Sequence, residues 1–161
     1  MVDYMWKQML TQEQVSSMAR YVPVQYASFD IDKNNFIYGH NMNDDTMFAH
    51  VLQMADQDVF DEARTFFILT PDCNYRCKTL ALDIVEATET ELIQTAFLDD
   101  NAFASYIDDR VSDSVVDGGD AIDSASISKL FTLVTCGDDY ASTRAILTGG
   151  VVEQATPSDA S

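Results

Sequence analysis

At 161 residues the chain is long enough to bury one proper core, and its 27 acidic against 9 basic side chains give a formal net charge of -18. That balance argues against nucleic acid and anionic membrane as partners, since both are held by clustered Lys and Arg. It is compatible with a cationic partner, with a saline environment, or with solubility alone. No stretch approaches the ~20 consecutive apolar residues of a membrane span. Met1 to Leu10 also lacks the continuous apolar core of a secretory signal. The expectation is a soluble chain carrying neither anchor nor signal.

Residues 3–20 are expected to form an amphipathic helix, because Tyr4, Met5, Met9, Leu10, Val15 and Met18 recur at roughly helical spacing without Gly or Pro. Thr11 with Gln14 offers an alternative start for a second, shorter helix. Pro23 then favours extended chain, and Val24 to Phe29 alternates as a strand. Asp30 to Asn35 is turn chemistry, and Phe36-Ile37-Tyr38 is a short strand that stops at Gly39. Short helices are expected over 45–52 and 56–64. The β-rich run Thr65 to Thr70 follows, Pro71-Asp72 turns the chain, and Tyr75 to Val85 returns as a strand.

Asp99 to Val111 suits a helix, with Asp99 or Asp100 as its cap and Phe103, Tyr106 and Ile107 as an apolar stripe. The polar span 112–128, with Gly118-Gly119, reads as a loop. Two final strands are expected near 129–135 and 143–152, before a polar, disordered tail from Gln154 to Ser161. Strands outnumber helices and connections are short, so the natural class is mainly β: a barrel or sandwich with peripheral helices.

Three cysteines cannot all pair. Cys73 and Cys77 in one extended strand would sit about 13 Å apart, beyond disulfide reach, and only a tight turn at Asp72-Cys73-Asn74 would join them. Both read as ordinary strand or turn residues, or as a local disulfide if that turn forms. Three Cys and two His without a second close-spaced pair do not make a zinc site, and no metal or cofactor is expected. Asp30-x-Asp32-x-Asn34 imitates a calcium loop, but Asn35 and Asn41 stand where the glycine and the bidentate glutamate belong. A hydrophilic turn explains it. The acid pairs Asp44-Asp45, Asp99-Asp100, Asp108-Asp109 and Asp138-Asp139 read as solvated surface at loops and helix ends. His50, between Ala49 and Val51, reads as a partly buried structural histidine.

Phe131-Thr132-Leu133-Val134-Thr135-Cys136 is a β-type run ending in a thiol, and Arg144 returns on the next strand. His40 follows a strand and a glycine, a loop setting where functional side chains concentrate. A thiol, an imidazole and a fixed cation are the parts of thioester chemistry at a peptide carbonyl. Tyr38-Gly39-His40-Asn41-Met42 followed by Met47-Phe48, then Thr132 to Cys136, then Arg144, resembles the sortases. The Gly-His-Asn-Met…Met-Phe form is most similar to class B. The order His, Cys, Arg, the long His-to-Cys separation and the helix near 97–108 fit as well. The resemblance covers roughly residues 22–152.

The resemblance implies a sortase-like β-barrel over 22–153, preceded by a helical segment over 1–21. In the family considerably more chain precedes the histidine, whereas 39 residues precede His40 here. The first barrel strands are therefore expected to be missing or replaced by the N-terminal helix, and an open edge could pair two copies of the chain. It also implies a cysteine transpeptidase. Cys136 would attack the threonine carbonyl of a sorting motif, His40 would serve as acid and then base, and Arg144 would bind the oxyanion. Tyr38, Asn41, Val134 and Thr135 would contact the peptide, Val134 standing where class B members often carry serine. The implied partners are a sorting-motif peptide and an amine of cell-wall precursor or a pilin lysine, at the extracellular face of the membrane or in the wall. The alternatives are a truncated or degenerate sortase-fold module that binds peptide without catalysis, and a hydrolytic thiol peptidase.

Overall fold

A computed structural model describes residues 32–39, 49–70, 72–89, 91–119, 123–136 and 142–156. The expected helix over 3–20, the strand over 24–29, Asp44-Asp45, Asp138-Asp139 and the end of the tail lie outside these residues. Five strands form one curled, half-barrel sheet in the order β1-β4-β5-β3-β2. They are β1 (Asn34–Tyr38), β2 (Thr65–Leu69), β3 (Asn74–Glu86), β4 (Leu130–Cys136) and β5 (Thr143–Ala155). β1 runs parallel to β4, and the other neighbours are antiparallel. Among the described residues three α-helices accompany the sheet, α1 (Ala49–Gln53), α2 (Gln57–Glu62) and α3 (Asp100–Asp113), with one short 3-10 turn at Ser124–Ser126. The expected mainly β class with peripheral helices is what is found.

β4 reads as a nearly unbroken apolar run because both of its faces are covered, as in a central strand. Leu130 packs with Leu80, Phe103, Tyr106 and Ile107 beneath α3. On the other face, Phe131 and Leu133 join Val51, Met54, Phe60, Leu82 and Leu147. The stripe expected on α3 is thus the one that is buried, each such side chain contributing about 1.5–3 kcal/mol. Asp99 is the cap, its carboxylate accepting from the Ala102 N–H at 2.8 Å. The helix runs two residues past its expected end, where Arg110 suits the negative end of the dipole.

Three expectations are corrected. β1 begins at Asn34, two residues before the expected strand, and Asn34 and Asn35 are buried strand residues. Their amide nitrogens find fixed partners, which offsets part of the cost of burial, while Asn35 Oδ1 accepts no hydrogen bond among the described residues. Thr132 Oγ1 donates to Asn34 Oδ1 at 2.7 Å, and Asn34 Nδ2 donates to the Tyr106 hydroxyl at 3.3 Å. Asn35 Nδ2 donates to the Leu130 carbonyl at 3.1 Å. The third residue of the calcium-like triplet is thereby committed to the strand interior.

His50 is exposed instead of partly buried: Val51 of α1 and Met54 just after it supply the buried side chains here, and the imidazole lies 3.3 Å from Gln53 Oε1. β5, finally, continues to Ala155 instead of stopping near 152. Gln154 pairs with Tyr75 and Ala155 with Asn74, and Glu153 forms a 2.7 Å ion pair with Arg76. Cys73 and Cys77 are free thiols. Cys77 is fully buried in β3, and burial pushes its thiol up to about 12, so it behaves as a small hydrophobe.

The buried Asp83 of β3 meets the buried Arg110 of α3. Arg110 Nη1 lies 3.6 Å from Asp83 Oδ2, with both side chains almost wholly buried. Burial pushes the Asp83 carboxyl up to about 6, while Arg110 opposes the rise and Asp113 adds to it. The folded chain therefore holds this proton more tightly than the unfolded one, where the value is 3.8. The associated stability is complete below about pH 4 and is lost as pH rises through about 6. Urea unfolding of wild type and Asp83→Asn should accordingly diverge in the variant's favour between those limits and run parallel above them. A difference independent of pH would refute this account of Asp83.

Candidate active site

The open end of the central strands gathers the residues singled out by the sequence. Tyr38 pairs with Val134 at the end of the parallel β1–β4 ladder. The Gly39 N–H donates to the Val134 carbonyl at 3.0 Å, which fixes the chain up to the residue before His40. Two positions further along β4, the backbone of Cys136 stands directly opposite Arg144 in the antiparallel β4–β5 pair. Cα atoms of such a pair are about 4.5–5.5 Å apart. On its other side Arg144 pairs with Val85 of β3, so the arginine sits on a strand flanked by neighbours on both edges.

Arg144 is half-buried, and its Nη1 donates to the Thr143 carbonyl at 2.9 Å. Its charge reaches across the width of β4. The Tyr38 phenol is pushed up by partial burial, and the guanidinium of Arg144 pulls it back down. Tyr38 is nevertheless 53% exposed, a large aromatic ring offered to solvent at the strand end. Val134 and Thr135 are both buried, Val134 on the face of the sheet that Tyr38 shares and Thr135 on the opposite one. Thr135 Oγ1 accepts and donates no hydrogen bond among the described residues.

The structure therefore brings Tyr38, Val134, Thr135, the Cys136 backbone and Arg144 to one end of the sheet. His40 and Asn41 lie outside the described residues. Sequence reasoning passed over Val85, the neighbour of Arg144, and over the buried pair of Asp83 and Arg110. Asp83 carried a signal: it is the lone charge in the apolar run Leu80-Ala81-Leu82-Asp83-Ile84-Val85. Chemically, a guanidinium across from a cysteine at the mouth of a strand pair can lower a thiol's pKa and can donate to an oxyanion.

No protein-family model matches the chain. Over 124 residues it is 30% identical to sortase B of Listeria monocytogenes, which covers 76% of this chain and 49% of that protein. The chain thus spans about half the length of the curated relative it matches. In fold it is similar to Clostridium perfringens sortase B, with a TM-score of 0.71 at 22% identity over 78% of this chain and 69% of that one. It is also similar to a Staphylococcus aureus sortase B–substrate complex, with a TM-score of 0.66 at 19% identity over 76% and 56% of the two chains. The sheet is a sortase-type sheet. Within that group, sequence and fold alike make the chain similar to the class B sortases.

The link between Arg144 and Tyr38 is measurable. Arg144→Ala removes the cation that holds the phenol down, so Tyr38 should titrate at higher pH in the variant. Ultraviolet difference titrations, each referenced to the matching Tyr38→Phe protein, isolate this one phenol among the seven tyrosines. An unchanged or lowered Tyr38 midpoint would show that the two side chains are not electrostatically coupled.

Proposed function

We propose that the chain carries a sortase-type cysteine transpeptidase site, with Cys136 as nucleophile, His40 as general acid and base, and Arg144 as oxyanion donor. The observation that carries this reading is the register that sets Cys136 opposite Arg144, in a chain similar to the class B sortases. The Cys136 thiolate adds to the threonine carbonyl carbon of a sorting-motif peptide. The C–N bond then breaks, and the departing amine takes a proton from the His40 imidazolium, leaving a thioester. An incoming amine adds to that thioester and gives its proton to the now neutral imidazole. The C–S bond breaks, and the thiolate is restored. Arg144, permanently charged and forked, meets the oxyanion in both additions.

In this reading residues 22–153 form the catalytic domain. Tyr38 offers its exposed ring to the peptide beside Asn41, while Val134 forms the floor beneath it and Thr135 supports that floor from the opposite face of β4. Val134 in place of the serine frequent in class B replaces a hydroxyl with an apolar surface, which favours an apolar contact with the peptide there. The acceptor is an amine of cell-wall precursor or a pilin lysine, and the place of action is the outer face of the membrane or the wall.

Mass spectrometry of the chain with a class B type sorting peptide and an amine tests the proposal. Wild type should form a thioester adduct and ligated product. Cys136→Ala should form neither. Arg144→Ala should lose about 10²–10³ in rate, as removal of an oxyanion donor does elsewhere, with Arg144→Lys intermediate. Equal turnover by wild type and Cys136→Ala would overturn the assignment. Peptide binding without any adduct in wild type would replace it with the non-catalytic module, and acid in place of ligated product would mark a hydrolase.

A further inference from the structure

A cavity of about 480 Å³ opens at the end of β3, between the chain that follows this strand and the last turn of α3. Its charged lining consists of Asp83, Glu86, Glu89 and Asp113 against the single guanidinium of Arg110. Arg110 is already engaged, at 3.2 Å from Asp113 and 3.6 Å from Asp83. Four carboxylates against one committed cation leave a site that repels anions and attracts positive charge.

Asp83 supplies the second and independent observation. It is 2% exposed, it lines the cavity, and among the described residues neither of its carboxylate oxygens accepts a hydrogen bond. Its 3.6 Å approach to Arg110 is an ion pair too long to be one. A buried carboxylate in this condition lacks N–H or O–H donors, and leaving it so is costly. The remaining wall is Thr88 together with the apolar side chains of Ile84, Val85 and Leu92.

We propose that this cavity binds an aliphatic primary amine of the lysine side-chain type. An ammonium supplies three donors to the carboxylates, and a methylene stem of that length covers Ile84, Val85 and Leu92. A bare divalent ion fits less well. The space is many times its size, one wall is largely apolar, and among the described residues no group of three or more His, Cys, Asp or Glu is placed to hold a metal. The site stands apart from the proposed thiol chemistry and does not rest on it, although Val85 also pairs with Arg144.

Calorimetric titration of the full chain with cadaverine and, separately, with a doubly blocked lysine amide tests the proposal. At least one should bind saturably, while n-pentanol, which has the stem without the charge, should not. Glu86→Gln/Glu89→Gln alters only exposed side chains and should weaken binding roughly tenfold or more, the scale of a charge-assisted hydrogen bond. Asp108→Asn/Asp109→Asn removes the same charge from the exposed face of α3 and should leave binding unchanged. Tighter binding of the blocked lysine assigns the site to a protein lysine, and tighter binding of cadaverine assigns it to a free diamine. No saturable binding of either amine, equal loss in the two double variants, or calcium binding that neither amine displaces would each overturn the proposal.

Discussion

The register of β4 against β5 is the constraint on which the candidate site depends. Side chains alternate along a strand with a period of two, so a slip of one residue would carry every group of β4 to the wrong face. Two glycines help to hold that register. Phe131 pairs with Gly149 and Leu130 with Gly150. A side-chain carbon on Gly149 would fall 2.3 Å from the ring of Phe66, which reaches over from β2 to fill that space. At Gly150 the same carbon would meet Ile127 and Leu80 at 3.1 Å. Shifting the strand by one place would bring Thr148 under that ring in one direction, or Val151 against Ile127 and Leu80 in the other. The fit that excludes these shifts is the fit that sets Cys136 opposite Arg144, five and six ladder positions from the two glycine pairs.

The α3 helix is fastened to this frame by two polar connections of different kinds. Near its middle, Tyr106 donates to the Leu92 carbonyl at 2.7 Å and accepts from Asn34, which in turn accepts from Thr132. Every group in that chain is a neutral donor or acceptor with a partner, the kind of network that specifies a packing without a charge to desolvate. Near its end the helix is held by Asp83 and Arg110, where two charges have left water for one long contact. Replacing such a pair with apolar residues often gains stability, so the pair is not explained by stability alone. Ser114 holds the same region in another way. The Leu82 N–H donates to its Oγ at 2.9 Å, and the Val115 N–H donates to the Leu82 carbonyl at 2.8 Å.

How far the sequence revealed these features follows from the range of the interactions behind them. The α3 helix was legible because its cap and its apolar stripe are local: Asp99, then Phe103, Tyr106 and Ile107 at helical spacing. β4 was legible because a run of Leu, Phe, Val and Thr has few other uses. Asn34 and Asn35 were misread because asparagine is a turn residue by local chemistry, and their actual partners lie 98 and 95 residues away. The face taken by His50 depended on a core that Val51 and Met54 could enter from either side. At the site, Cys136 and Arg144 were singled out by resemblance to a family, while their opposition is a product of register. Residue spacing alone does not give that.

Unsatisfied buried polar atoms are few in folded proteins, and their placement carries information. Among the described residues Asp83, Arg110 and Thr135 contribute four such atoms toward the end of the sheet where Tyr38, Cys136 and Arg144 converge, and Asn35, Arg76 and Thr148 contribute three more elsewhere in it. At the opposite end of β4, Asn34 and Thr132 are fully engaged with each other and with Tyr106. The exceptions to polar pairing are thus spread over the sheet, and Asp83 is set apart because both of its carboxylate oxygens are among them. Natural proteins tolerate such breaches mainly at sites selected for something other than stability. By that criterion the position singled out is Asp83, where two unpaired oxygens of one buried carboxylate border the cavity beside α3, and family resemblance plays no part in that argument.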